Sequence, residues 1–150
     1  MNRDESAEVV VQRSLPAAPE TVYREWTHPE AFAAWMCPRP AKATGIELDP
    51  RVGGRLRIGI EEGATKFVVT GEYVEVDPPS RLAFTWRCSN WPDPDLNSLV
   101  IVTIEPLEGN RSLMTIRHTL LASELRLQHE AGWIAISSQL ETALRERVTT

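Results

Sequence analysis

The sequence lacks the features that would place the protein in a membrane or on nucleic acid. Its longest apolar run, residues 99–104, is far shorter than the roughly 20 residues that a membrane-spanning helix needs. Sixteen Lys and Arg residues stand against 21 Asp and Glu residues, the formal net charge is -5, and no basic cluster with interleaved aromatic residues occurs. We therefore expect no membrane span and no nucleic-acid partner.

The sequence also contains few cysteines and no segment that resembles a secretion signal. The two cysteines, Cys37 and Cys88, are isolated and show no ligand-like spacing with a histidine, so a disulfide or a zinc site is not expected. The first residues, MNRDESAE, are charged and contain no apolar segment of the signal-peptide kind. These absences predict reduced thiols, a cytoplasmic location, and no metal or other cofactor.

One long stretch without proline, residues 122–148, has a helical period. Its apolar residues recur at spacings of three and four, at Trp133, Ile136, Leu140 and Leu144. Ser123 is positioned to cap the start of this helix, and the apolar stripe needs a surface to pack on. His129 and Ser137 fall within or beside the stripe, which is a first indication of a site. The alternative is that Ser137 bonds to the carbonyl four residues earlier and His129 lies at the edge of the stripe.

Before that helix, the sequence predicts a series of β-strands. Residues 8–15 form the first strand, and Pro19 and Pro29 each begin a short helix. Strand-like runs follow at residues 45–48, 55–60, 66–76, 81–88, 99–105 and 112–120. Their connections are too short for parallel crossovers, so we expect an antiparallel meander. The whole chain, residues 1–150, is predicted to be a single α+β domain in which a curved antiparallel sheet packs on the C-terminal helix.

Three local features add detail to this prediction. The apolar face changes near Gly71, which indicates a β-bulge there. The last strand places His118 and Leu120 on the same inward face, and burial should keep the His118 imidazole neutral. The longest irregular segment, residues 89–98, is predicted to be a mobile lip that exposes Trp91.

Four motifs resemble a known family in their order and spacing. They are a loose match at residues 18–35, GGRLR at 53–57, GEYVEVDPPSRLAFTW at 71–86, and His118 followed by HEAGWxxxxxxLE at 129–141. The chain thereby resembles the bacterial relatives of the C-terminal domain of the co-chaperone that activates the ATPase of the large heat-shock chaperone, within the START-like superfamily.

The resemblance implies a helix-grip fold, in which a curved antiparallel sheet grips the long C-terminal helix. It also implies a cavity between the two that binds apolar or amphipathic ligands. Met36 stands where relatives often carry tryptophan, and Ser137 where they commonly carry leucine. No catalytic residue is shared across the family.

The sequence favours a small-molecule binding protein over two other functional hypotheses. Apolar walls with a few convergent polar groups are typical of ligand pockets. The predicted lining residues are Trp35, Met36, Tyr73, Phe84, Trp86, His118, Trp133 and Ser137. The structural alternative is that these aromatic side chains simply fill the core.

The first functional alternative is an interaction module, a chaperone regulator or stress-response protein that contacts a chaperone through its charged surface. The second is an enzyme of the cyclase or hydratase kind, in which His118 or His129 acts as general acid or base. No partner carboxylate occurs at a telling spacing, so catalysis is the weaker expectation. The oligomeric state is left open, with a homodimer as one option.

Overall fold

A computed structural model describes residues 6–93 and 96–148, and the side chains of Ser6 and Val148 are not described. Seven antiparallel strands form one sheet in the order β1-β7-β6-β5-β4-β3-β2. The strands are β1 (Ser6–Leu15), β2 (Lys42–Leu48), β3 (Arg55–Glu62), β4 (Thr65–Asp77), β5 (Arg81–Cys88), β6 (Ser98–Leu107) and β7 (Arg111–Ala122). Residues 1–5, part of the N-terminal segment that is predicted to contain no signal peptide, lie outside the described residues. Residues 94–95 of the predicted lip lie outside them as well.

Three helices accompany the sheet: α1 (Pro19–Thr27), α2 (Pro29–Ala33) and α3 (Arg126–Val148). Proline begins both short helices, where its missing N–H costs no intrahelical hydrogen bond. The predicted cap at Ser123 is wrong, because Ser123 begins a short 3-10 turn, Ser123–Leu125, and α3 starts only after it. The sheet, the long C-terminal helix and the two short helices confirm the predicted α+β helix-grip fold. No helix among the described residues is long and apolar enough to cross a membrane.

The β-bulge in β4 lies further along the strand than predicted. The register against β5 shifts between Tyr73, which pairs with Phe84, and Glu75, which pairs with Ala83. Gly71 has a different role, since a Cβ there would lie 1.9 Å from the carbonyl oxygen of Thr85. Glycine at this position therefore allows β4 and β5 to approach closely.

The end of β7 also departs from the predicted alternation. His118 is fully buried as expected, but Leu120 is 64% exposed and Leu121 is buried in its place. Leu120 has a φ of 58°, in the left-handed region, and this conformation ends the regular alternation of the strand. Leu120, two residues before the end of β7, thus points outward.

The apolar stripe of α3 packs on the sheet near β1 and β7. Its members Trp133, Ile136, Leu140 and Leu144 are all buried. The short helices close one end of this core with a cluster of rings, in which the Trp35 centroid lies 4.9 Å from that of Trp26 and 5.3 Å from that of Phe32. This cluster fills the space between α1, α2 and the sheet, where Trp26 also lies 6.4 Å from the ring centroid of Phe84.

Candidate ligand-binding site

A groove of about 350 Å³ lies between α3, the chain that follows α2, and the ends of β3, β4 and β5. We call it the α3 groove. It is lined by Met36, Pro38, Arg39, Ala41, Ile60, Glu62, Phe67, Val69, Trp86, Cys88, Asn90, Trp91, Pro92, Leu125, Gln128, His129, Gly132, Trp133 and Ile136. The groove is partly open to solvent.

Apolar and polar side chains are segregated within the α3 groove. The inner wall is made of buried apolar groups, among them Met36, Ile60 and Trp133. The exposed side chains at the rim include the charged residues Arg39 and Glu62. An apolar interior with a polar entrance is the usual composition of a small-molecule pocket.

The structure brings three of the eight predicted site residues to this wall, namely Met36, Trp86 and Trp133. The other five, Trp35, Tyr73, Phe84, His118 and Ser137, are buried but do not line the groove. A side chain can therefore be buried against the sheet without lining the groove. The rings of α1 and α2 pack over part of the concave surface and fill it.

Ser137 lies on the side of α3 that faces β1. Its hydroxyl accepts a hydrogen bond from Nε of Arg13 at 3.0 Å and donates one to the carbonyl of Ile134, also at 3.0 Å. Arg13 continues to the carboxylate of Glu141 at 2.8 Å. The back-bond runs to the third residue before Ser137, where the fourth was expected, and the hydroxyl helps to fix α3 on the first strand.

His118 sits in a continuous chain of buried hydrogen bonds. The indole N–H of Trp133 can only donate, so Nδ1 of His118, at 3.0 Å, is the acceptor. The proton of the neutral ring is then on Nε2, which donates to the hydroxyl of Ser98 at 2.7 Å. The Ser98 hydroxyl in turn donates to the carbonyl of Trp86 at 2.7 Å. Every donor in this chain has one acceptor, and the tautomer of His118 is fixed.

These hydrogen bonds limit the acid–base chemistry that His118 can perform. Burial, and to a lesser extent the neighbouring His129, lowers its pKa to about 3. The ring is neutral at pH 7, and both nitrogens are already bonded within the protein. His118 is thus a neutral histidine bonded to a nearby hydroxyl, and it has no lone pair or proton left for a reacting ligand.

His129 occupies a different position, on the wall of the α3 groove. Its Nδ1 lies 3.0 Å from the carbonyl oxygen of Leu125, so Nδ1 carries the proton of the neutral ring. Burial lowers the pKa of His129, and the bond to Leu125 offsets part of that shift. The ring packs edge-on against Trp91 at 5.7 Å between centroids. Trp91 is therefore buried against α3, and the prediction that it is exposed on a lip is wrong.

Trp86 lines the same wall with the apolar part of its ring. Its indole nitrogen is buried and has no hydrogen-bond partner among the described residues. The neighbouring Cys88 has its pKa raised to about 12 by burial, an effect that the Trp86 side chain partly offsets. The offset comes from the indole N–H, which approaches the Cys88 sulfur, a weak acceptor, without the geometry of a full hydrogen bond. The thiol itself is protonated at neutral pH and unreactive.

Sequence reasoning did not assign Gly132 or Trp91 to the site. Gly132 had a usable signal, because glycine inside a helix costs stability and therefore often has a packing reason. Trp91 had none, since its contact with His129 joins a loop to a distant helix. No group of three or more metal-ligating side chains occurs among the residues that the structure describes.

Comparisons with known proteins agree with this architecture. The sequence model of the family described as Activator of Hsp90 ATPase homolog 1-like protein matches residues 16–145. A crystal structure of a protein from Chromobacterium violaceum is 26% identical, with a TM-score of 0.82, and the match covers 92% of this chain and 97% of that one. The AHSA1 protein from Silicibacter pomeroyi is 24% identical, with a TM-score of 0.83 and coverages of 94% and 99%. A comparison with curated proteins finds no match.

Proposed function

We propose that this chain, which belongs to the family of Activator of Hsp90 ATPase homolog 1-like proteins, binds one small apolar or amphipathic molecule in the α3 groove. The observation that carries the proposal is the groove itself, whose inner wall is made of buried apolar groups, among them Met36, Ile60 and Trp133, and which is partly open to solvent. A ligand that covers this wall would remove apolar surface from water, which stabilises the complex by about 25 cal/mol per Å².

The size of the groove supports the same proposal. Its volume of about 350 Å³ falls within the range typical of small-molecule sites. Its inner surface is provided by Met36, which follows α2, and by residues from three strands and from α3, so most of the wall is held by the fold itself. A rigid apolar cleft needs little ordering when a ligand enters, which favours binding.

Gly132 gives a second line of support. A Cβ at this position would meet only the Cγ of Pro38, at 3.9 Å, which is ordinary van der Waals contact. Alanine would therefore fit and would make the helix more stable by about 1 kcal/mol. Larger side chains at position 132 would extend into the α3 groove, so glycine here leaves the groove open.

The proposal can be tested with N-phenyl-1-naphthylamine, a neutral apolar probe whose fluorescence rises in apolar surroundings. We expect wild-type protein to bind one probe molecule saturably. Gly132→Leu should lower the affinity at least tenfold and keep the thermal midpoint, because leucine fills the groove on a helix that tolerates it. Ser138→Leu is the matched control, since Ser138 is exposed on the same helix and does not line the groove.

Two results would contradict the proposal. One is the absence of saturable binding to folded wild-type protein. The other is a Gly132→Leu variant that binds the probe as tightly as Ser138→Leu does, because the probe would then occupy some other surface.

The family description favours a second candidate function, regulation of an Hsp90-type chaperone. The test is the ATPase rate of a purified bacterial chaperone of this type, with and without the protein. A saturable increase that Gly132→Leu retains would favour the chaperone role, since that contact would not use the groove. An unchanged rate is expected if ligand binding is the function.

A further inference from the structure

Leu120 combines two features that each disfavour the folded chain. Its φ of 58° lies in the left-handed region, which is rare for a bulky side chain. The side chain is also 64% exposed, although it is large and apolar. Asparagine would adopt the same backbone conformation at lower cost and would be better solvated. The fold by itself therefore does not account for leucine here, and a backbone outlier with an exposed apolar group indicates a contact with another molecule.

A second groove, of about 600 Å³, lies beside Leu120. We call it the β7 groove, because it is formed by the end of β7, the chain that follows β5, and the 3-10 turn before α3. Leu96, which is 48% exposed, lines it together with Leu120. The β7 groove shares Trp91, Pro92 and Leu125 with the α3 groove, whereas the two exposed leucines line only the β7 groove. The apolar side chains thus form one surface that is separate from the proposed ligand site.

The charged side chains of the β7 groove have one sign. Asp93 and Glu124 are exposed in its lining, and no lysine or arginine lines it among the described residues. Glu124 forms no ion pair within the described part of the chain, and the nearby Arg126 pairs with Glu130. A partner that covers the leucines would also lie against these carboxylates, so electrostatic complementarity favours a cationic partner.

We infer that the β7 groove is a docking surface for a basic amphipathic segment of another protein, which places apolar side chains on Leu96 and Leu120 and a lysine or arginine beside Glu124. This surface goes beyond the proposed function, since it does not use the interior of the α3 groove. Leucines that protrude into solvent suit a protein partner, whereas a small-molecule pocket would bury them.

Two other occupants suit the β7 groove less well. A second copy of this chain, related by a two-fold axis at the groove, would bring the carboxylates of both copies close together. An anionic membrane surface would be repelled by the same carboxylates. The acidic lining therefore selects for a basic segment.

The inference can be tested with a fluorescein-labelled amphipathic peptide of leucine and lysine, about twelve residues long. Fluorescence anisotropy follows its binding to the full chain at two ionic strengths. A second peptide has glutamate in place of lysine, and a third has serine in place of leucine. We expect saturable binding of the leucine–lysine peptide alone, with lower affinity at the higher ionic strength, because salt screens the exposed carboxylates.

Variants of the chain assign the binding to this surface. Leu120→Asn should lower the affinity about tenfold, the effect of losing one apolar anchor, while its thermal midpoint stays equal or rises. Val52→Asn is the matched control, since Val52 is 69% exposed in the loop between β2 and β3. Glu124→Lys should weaken binding and reduce its dependence on salt. Glu108→Lys makes the same charge change in the turn at the opposite end of β7 and should weaken binding far less.

Results with the peptides can overturn the inference. Absence of saturable binding of the leucine–lysine peptide to the wild type would do so. Equal binding of the glutamate peptide would rule out selection by charge, and equal binding of the serine peptide would rule out a role for the leucines.

Results with the variants can overturn it as well. Equal affinities of Leu120→Asn and Val52→Asn would show that the peptide binds elsewhere. A Leu120→Asn variant that is clearly less stable or does not fold would show that the fold itself requires this leucine. Peptide binding that Gly132→Leu abolishes and Leu120→Asn retains would place the peptide in the α3 groove. Self-association of the wild type that Leu120→Asn removes would assign the surface to a second copy.

Discussion

Trp133 of α3 donates its indole N–H to Nδ1 of His118 in β7, and the two nitrogens are 3.0 Å apart. The bond joins the helix to the sheet at a point where both residues are buried. It also fixes the tautomer of His118, because an indole nitrogen cannot accept. One contact thus sets the position of the helix and the chemistry of the histidine.

The first prediction is that stability falls as pH is lowered, through His118. The pKa of its ring is lowered from 6.5 to about 3 in the folded protein, so the unfolded chain binds the proton more readily. The stabilisation is complete above pH 6.5 and is lost as the pH falls toward 3. Each pKa unit corresponds to about 1.4 kcal/mol, so the loss amounts to roughly 4–5 kcal/mol.

Urea unfolding at a series of pH values measures this dependence. His118→Gln is the comparison, since glutamine does not titrate. The wild type should lose more free energy of unfolding than the variant between pH 6.5 and 4. Parallel curves for the two proteins would show that His118 is not buried in its neutral form.

The second prediction concerns Nδ1 of His118, which accepts the hydrogen bond from the indole N–H of Trp133. Trp133→Phe leaves Nδ1 of His118 buried without a donor. Trp26→Phe is a matched control, because Trp26 is equally buried but its N–H lies against the sulfur of Met114, a weak acceptor that needs no partner. We expect Trp133→Phe to cost about 1–2 kcal/mol more than Trp26→Phe in urea unfolding. Equal costs would mean that the bond to His118 contributes little.

Replacement of Trp133 by alanine should be more severe. It removes a large apolar group from the stripe of α3, and changes of this kind cost about 3–5 kcal/mol. If urea unfolding shows a loss of less than about 1 kcal/mol in the free energy of unfolding, the helix does not pack on the sheet through that face.

The sequence was a good guide wherever one face of an element is buried throughout. In the sequence of β5, Leu82, Phe84 and Trp86 alternate with Arg81, Thr85 and Arg87, which predicts that the first three face inward, and all three are buried. The helical period likewise identified the stripe of α3. The alternation failed at Leu120, where a single left-handed backbone conformation reverses the direction of the side chain. Periodicity carries no signal for such a local change.

The site was harder to predict than the fold. Periodicity shows which side chains point inward, but it does not show which of them another element covers. Phe84 and Trp86 share a face of β5, yet Phe84 lies against Trp26 of α1 while Trp86 reaches the groove. That difference depends on where the short helices pack, which is set by contacts between distant parts of the chain.

The third prediction reverses an expectation about Ser137. From the sequence, Ser137→Leu should stabilise the fold or leave it unchanged and weaken ligand binding. The hydroxyl instead bonds to Arg13 in a fully buried position, away from the groove. Leucine would leave the Arg13 Nε without its partner and add volume to a packed contact, which costs about 1–3 kcal/mol. Affinity for N-phenyl-1-naphthylamine should stay unchanged, and a variant with wild-type stability but weaker binding would place Ser137 at the groove after all.

The last prediction compares alanine substitutions at two strand glycines, Gly71 in β4 and Gly45 in β2. A Cβ at Gly71 would lie 1.9 Å from the carbonyl oxygen of Thr85, and backbone cannot move aside without separating β4 from β5. At Gly45 in β2 a Cβ would meet nothing within 4 Å. Gly71→Ala should therefore cost about 3 kcal/mol or more, while Gly45→Ala should be neutral or stabilising by up to about 1 kcal/mol, because alanine restricts the unfolded chain. Thermal and urea unfolding of both variants decide the matter. Equal stabilities would show that β4 and β5 do not approach closely at Gly71.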